Sequence, residues 1–196
     1  MVPASGGGGW FFWKKPKPKP GDDLEEKVNN LGRVFQTEIS TRSGSVSGAV
    51  VHGNGGSTSI STSSGSISIS IHPVGVSGTD PLSTLKTTAG SGSQNIRILS
   101  PSSVPGYRTT TSAIRALRAS HTTTGSGSIS AIYPEEWTGQ LHVALRGSGS
   151  IQARGSGLQV QQQGRHELFG WKGDDAEHGA SIDITEMGSG SVHFQC

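Results

Sequence analysis

The sequence has 196 residues, a formal net charge of +2, 15% charged residues, and 30 glycines beside 31 serines. That length allows one domain plus a tail. Beyond the N-terminal lysines the basic residues are spread along the chain, which excludes the concentrated basic face of a nucleic-acid-binding protein. Cys196 is the single cysteine, so neither an intrachain disulfide nor a cysteine-based zinc site can form. We expect its thiol to be unpaired and exposed.

Residues 1–21 are predicted to form a disordered tail. Four aromatic residues at 10–13 are followed by alternating Lys and Pro, a pattern that favours extended polyproline-like backbone. The sequence shows neither a secretory signal nor an apolar run long enough to span a membrane. We therefore expect an intracellular protein with no membrane span.

Residues 22–35 are predicted to form a short helix and a lead-in to the main domain. Asp22 and Glu25 have the spacing of a capping box, and Gly32 can end the helix. A helix of about three turns is marginal alone in water. We expect it to dock as a cap on the β domain.

Residues 36–196 repeat one pattern, in which alternating polar and apolar residues flank a Ser-Gly-Ser core. The copy at 39–46 recurs 21 residues later at 60–67, and we align residues 85–90 as a third copy, 25 residues further on. Later copies centre on Gly127, Gly149 and Gly190. The interval from Gly149 to Gly190 is interpreted as two periods of about 21 residues, with a degenerate copy near 170–171.

This repeat predicts an all-β fold and fits two architectures. If each Ser-Gly-Ser unit is a bend, successive repeats stack in register as a β-solenoid. If each unit is a tight hairpin, the strands run antiparallel into a sandwich. We favour a single-domain β-solenoid, because apolar residues recur in register on both sides of the corner.

The repeats, together with residues 133–139, Tyr-Pro-Glu-Glu-Trp-Thr-Gly, resemble a fungal family catalogued as domain of unknown function 7330. That family resembles the putative-adhesin domains built on the same repeat. The similarity covers residues 36–196. It implies a β-solenoid and provides no catalytic residues.

A search for catalytic chemistry finds no nucleophile elbow, phosphate-binding loop or metalloprotease motif. Glycan cleavage requires two carboxylates at a defined separation on one face. The Glu135-Glu136 and Asp174-Asp175 doublets do not make such a pair, because adjacent strand residues point to opposite faces. We interpret these acids, and the cluster at 174–178 that resembles a hard-cation site, as solvated loop charges. No catalytic, cofactor-binding or metal-binding residue and no cofactor is therefore predicted.

Three aromatic residues, Tyr133, Trp137 and Trp171, are the candidate binding residues. They would stack on sugar rings if they shared an exposed face, and they would otherwise fill the interior. The leading hypothesis is a non-enzymatic, adhesin-like structural or interaction protein with an unknown protein or glycan partner. The alternative is a carbohydrate-binding or carbohydrate-active β-helix protein. Because the chain ends directly after the strand-like 191–194, we also expect an exposed C-terminal edge, which predicts either self-association or covering by a loop.

Overall fold

The structure is a computed structural model, and it describes residues 36–53, 55–73, 82–100, 117–173 and 180–196. These residues belong to the unit Gly32–Cys196. The predicted tail at 1–21 and the predicted helix at 22–35 lie outside the described residues.

The described residues form 14 strands and no helix. The strands are β1 (Gln36–Ser43), β2 (Val46–His52), β3 (Ser57–Ser64), β4 (Ile67–Pro73), β5 (Ser83–Ser91), β6 (Gln94–Ile98), β7 (Leu117–Thr123), β8 (Ile129–Ile132), β9 (Gly139–Leu145), β10 (Ile151–Arg154), β11 (Leu158–Gln163), β12 (Glu167–Lys172), β13 (Ala180–Glu186) and β14 (Val192–Gln195). The all-β prediction is confirmed. Since the described part holds no helix, none there could cross a membrane.

The described strands form two sheets. Sheet A has eight strands in the order β1-β3-β5-β7-β13-β9-β12-β11, and sheet B has six in the order β10-β14-β8-β6-β4-β2. Neighbours are parallel throughout sheet B and from β1 to β9 of sheet A. Strands β9, β12 and β11 pair antiparallel. This mostly parallel pairing is compatible with a β-helix-like fold.

Each Ser-Gly-Ser unit joins a strand of sheet A to a strand of sheet B, so it is a bend rather than a hairpin. We call this unit the corner. The corners stack on one another through backbone hydrogen bonds: Gly65 N–H donates to Ser91 O at 2.9 Å, and Gly92 N–H donates to Ser126 O at 2.8 Å. Serine side chains add to this column, since Ser191 N–H donates to Ser128 Oγ at 3.1 Å.

Glycine is required where the corners stack. Gly92 has a φ of +119°, and a Cβ on it would overlap the carbonyl oxygen of Gly65. An L side chain is disfavoured there both by the backbone conformation and by the neighbouring repeat. This stacking also corrects the alignment of the third repeat: Gly65 lies beside Gly92, and Ile60 pairs with Thr87. The alignment of residues 85–90 was therefore displaced by two residues, a shift that preserves which side chains face inward.

The order of the strands in space differs from their order in the chain. β13 pairs with both β7 and β9, and β14 pairs with both β8 and β10. The last strand pair is thus inserted between the fourth and fifth pairs. The expectation of an exposed edge at the C-terminal strand is wrong, because β14 has a partner on each side.

The interval from Gly149 to Gly190 is also not two stacked periods. Ser148 and Ser189 are bridge partners in adjacent corners, and a Cβ on Gly149 would overlap the carbonyl oxygen of Gly190. Between them the chain forms the antiparallel hairpin β11–β12, which extends sheet A beyond β9. The degenerate copy expected near 170–171 is therefore part of this hairpin.

The core lies between the two sheets and consists of rows of aligned side chains. One row from sheet A contains Ile60, Ile184 and Val143, and one from sheet B contains Ile69, Ile96 and Phe194. All of these side chains are buried. Their alignment follows from the period of two in each strand, which turns every second residue toward the same face.

Candidate functional site

Two of the three candidate binding residues lie in the core rather than on the surface. Tyr133 is 2% exposed and Trp137 is 1% exposed. Their rings pack in an edge-type geometry with centres 5.9 Å apart, and both contact Phe194. Of the two alternatives that the sequence left open for Tyr133 and Trp137, the structure has the second: the rings fill the interior and do not share an exposed face.

A buried chain of hydrogen bonds begins at Tyr133. Its hydroxyl lies 2.9 Å from Nε2 of His121, whose Nδ1 lies 2.8 Å from the Thr87 hydroxyl. Thr87 donates to the side-chain oxygen of Gln94, and the amide nitrogen of Gln94 donates to Thr123 Oγ1 at 2.9 Å. The Thr87 hydroxyl donates its proton to Gln94, so it can only accept from His121. The imidazole proton is therefore assigned to Nδ1, and Nε2 accepts from the Tyr133 hydroxyl.

Burial holds the groups of this network neutral. It lowers the pKa of His121 to about 3 and raises the pKa of Tyr133 far above its usual value. Thr87 and His121 are fully buried. A substrate cannot reach this histidine, so the network orders the core and does not offer acid–base chemistry to a ligand.

A second buried acid–base group is Glu186, on the inward face of β13. Its Oε1 accepts from the Gly188 N–H at 3.0 Å, while Oε2 has no hydrogen-bond partner among the described residues. Burial raises the pKa of this carboxyl, and the bond from Gly188 opposes the shift. The side chain is fully covered, which makes it a destabilising feature of the core rather than an accessible acid.

Cys196 is buried, against the expectation of an exposed thiol. Its backbone N–H donates to Arg154 O at 3.0 Å. Burial raises the pKa of the thiol, and the nearby Lys172 ammonium acts in the opposite direction. Lys172 is itself buried and donates to Glu135 O at 2.6 Å.

The outer face of sheet A carries a groove of about 630 Å³ over β9, β12 and β13, with a contribution from β11. We call it the outer groove. Its lining side chains combine two aromatic rings with amides, a hydroxyl and a carboxylate: Phe169, Trp171, Gln140, Gln161, Ser181, Asp183 and His142. The volume falls within the range typical of sites for small ligands.

The outer groove contains Trp171, the third candidate residue. Trp171 is partly exposed and, in the strand register, lies between Gln140 of β9 and Gln159 of β11. Each glutamine amide offers two donors and an acceptor oxygen beside the indole ring. The role of Trp171 in binding stays a prediction, now placed on a surface where a ligand can reach it.

Phe169 and His142 form the other half of the outer groove. Their rings stack with centres 4.4 Å apart and planes 11° from parallel. His142 Nδ1 lies 3.2 Å from Asp183 Oδ1, and Nε2 lies 3.3 Å from Glu167 Oε1. Both carboxylates thus contact the same imidazole, which is held flat against Phe169.

The acidic doublet Glu135-Glu136 is not among the residues that line the outer groove. Glu136 accepts a hydrogen bond from Ser100 at 2.8 Å, and Glu135 is exposed in the turn before β9. The cluster at 174–178 lies outside the described residues. Within the described ranges, no three His, Cys, Asp or Glu side chains are placed to hold a metal ion.

Sequence reasoning missed most of the outer groove. Gln140, His142 and Phe169 lie on the directly paired strands β9 and β12. Asp183 joins them only because β13 inserts beside β9. The available signal was the alternation at 167–172, where Phe169 and Trp171 share one face of a strand.

Comparison of this chain with protein-family models, with curated proteins and with solved structures gives no match in any of the three.

Proposed function

We propose that residues 36–196 form a β-solenoid, similar to the fungal domain of unknown function 7330 family, that serves as a non-enzymatic, adhesin-like interaction protein. The observation that carries this proposal is the outer groove, where Trp171 and Phe169 lie on an otherwise polar sheet face. Partly exposed aromatic rings beside polar groups are typical of binding surfaces.

The arrangement of the two acids around His142 supports binding rather than catalysis. Glycan cleavage requires two carboxylates separated by enough space for the scissile bond or a water. Asp183 and Glu167 instead have His142 between them, with both in hydrogen-bond range of its ring. The buried His121 and Glu186 are covered by the core and have no access to a substrate.

A bait experiment tests the proposal. The 196-residue chain carrying Trp171→Ala is compared with the wild type and with Lys86→Ala, a control on the outer face of β5, away from the groove. We expect a binding partner to be retained by the wild type and the Lys86→Ala bait and lost from the Trp171→Ala bait. Equal retention by all three baits would place the binding surface elsewhere.

An uncharged glycan is the second candidate ligand, favoured by Trp171 between Gln140 and Gln159. An indole ring packs on the apolar face of a sugar, while the amides bind its hydroxyls. Calorimetric titration with neutral oligosaccharides tests it. Binding that Trp171→Ala removes and Lys86→Ala preserves would support a glycan, and a flat titration with the wild type would leave a protein as the partner.

A further inference from the structure

Strand β11 (Leu158–Gln163) forms the outer edge of sheet A. Among the described residues it pairs only with β12, so the backbone N–H and C=O groups on its other edge have no strand partner. Residues 159–163 are all exposed, and the Val160 side chain is 40% exposed. An edge of this kind is a template for pairing with another strand.

β11 lacks most of the features that block such pairing. Its sequence, Leu-Gln-Val-Gln-Gln-Gln, contains neither a charge nor a proline. By contrast, β1 at the opposite edge of sheet A carries Glu38 and Arg42, and β10 at the edge of sheet B has four residues and ends at Arg154. One irregularity is present in β11, a register shift between Val160 and Gln162.

We propose that β11 pairs antiparallel with β11 of a second copy of this chain. In a two-fold dimer β11 lies against β11 of the second copy, and a residue near the centre of the strand lies opposite the equivalent residue. A charge at that position would therefore face a like charge, which is destabilising. β11 has no such charge. Its glutamines are self-complementary, because each amide both donates and accepts hydrogen bonds.

The geometry of this pairing has a consequence for the outer groove that rests on the proposed function. A two-fold axis perpendicular to the sheet keeps the outer faces of both copies on the same side. The two β12 strands, which carry Trp171, then lie three strand spacings apart, about 14 Å. The dimer presents two outer grooves on one continuous face, and a partner with two matching sites would bind with avidity.

Sedimentation velocity on the full chain tests the pairing with two matched variants. Val160→Lys adds a charge to β11, and Val51→Lys adds the same charge to β2, an edge strand of sheet B where Val51 is 52% exposed. We expect the wild type and Val51→Lys to dimerise with increasing concentration and Val160→Lys to remain a monomer. A monomeric wild type, or a dimer that only Val51→Lys disrupts, would overturn the proposal.

Cross-linking provides a readout that does not depend on how well Val160→Lys folds. Gln162→Cys is treated with a short bismaleimide, with Val51→Cys as the control, since Cys196 is buried. We expect covalent dimers from Gln162→Cys alone. Equal cross-linking of both variants would overturn pairing through β11. Neither experiment alters Trp171, so loss of groove binding and loss of dimerisation are separable outcomes.

Discussion

Phe194 and Trp137 pack edge to face with ring centres 5.7 Å apart. One lies in the last strand of the chain and the other in the segment between β8 and β9, yet both are buried in the same cluster. The contact exists because β14 inserts between β8 and β10. The C-terminal strand pair is therefore a central part of the fold.

The first prediction concerns this central position. Phe194→Ala removes a fully buried ring from the aromatic cluster, and we expect it to lower the free energy of unfolding by about 3–5 kcal/mol. Phe169→Ala, in the outer groove, is the matched control with an expected cost within about 1 kcal/mol. Urea denaturation of both variants measures the difference, and equal costs would contradict the inserted position of β14.

A second prediction separates backbone conformation from stacking at the corners. Gly44 and Gly92 have nearly the same φ, +116° and +119°, but a Cβ on Gly44 meets no atom whereas one on Gly92 overlaps Gly65 O. Both alanine variants should therefore carry similar conformational strain, of about 1–3 kcal/mol. We expect Gly92→Ala to cost a further ~1–3 kcal/mol, because the neighbouring repeat must move. Similar unfolding midpoints would show that the corners are not stacked as described.

A third prediction concerns the loss of folding stability at acidic pH that the buried His121 causes. The folded pKa of about 3 lies below the usual histidine pKa of 6.5, so between these values the unfolded chain binds more protons than the folded one. The stability that neutral His121 contributes is complete above pH 6.5 and falls by about 1.4 kcal/mol per pH unit below it. We expect His121→Gln to flatten the stability profile between pH 6.5 and about 4, relative to wild type.

The control for the His121 experiment is His193→Gln, a partly exposed position in β14. The stability of His193→Gln should vary with pH as that of the wild type does, because both proteins keep His121 and the same carboxylates. A wild-type profile that His121→Gln leaves unchanged would mean that this imidazole is not held neutral by burial.

A fourth prediction concerns Glu186, whose pKa is raised by burial. The folded state favours the protonated carboxyl. The stability that the raised pKa contributes is therefore complete below the ordinary pKa of 4.5, and it is lost as the pH rises through the folded pKa. Glu186→Gln keeps an acceptor for the Gly188 N–H and removes the charge. We expect a higher melting temperature than wild type at pH 8 and a similar one at pH 4.

The size of the Glu186→Gln effect at pH 8 follows from linkage: about 1.4 kcal/mol for each unit by which the pKa is raised. Exposed Asp183→Asn, on the same strand, serves as the control and should show no comparable gain. A lower melting temperature for Glu186→Gln at pH 8 would imply that the charged carboxylate has a partner.

Local features of the sequence determined the class of fold and the corners. Ile39 and Ile60 pair at the 21-residue interval visible in the sequence, because a side-chain period of two and a repeated Ser-Gly-Ser corner place equivalent residues in register. Most of the outer groove had no such signal, because the repeat indicates neither that β13 lies beside β9 nor that the hairpin β11–β12 extends sheet A.

Tertiary structure alone decided the order of the repeats and the burial of the aromatic candidates. Corners built from Ser-Gly-Ser stack on one another almost interchangeably, so backbone hydrogen bonding cannot specify that Ser189 lies between Ser126 and Ser148. Side chains that differ between repeats supply that information, and Phe194 fits against Tyr133 and Trp137 in the inserted position. The same packing buries Trp137. Trp171 stays on the surface because β12 turns Leu168, Gly170 and Lys172 inward and its alternate residues outward.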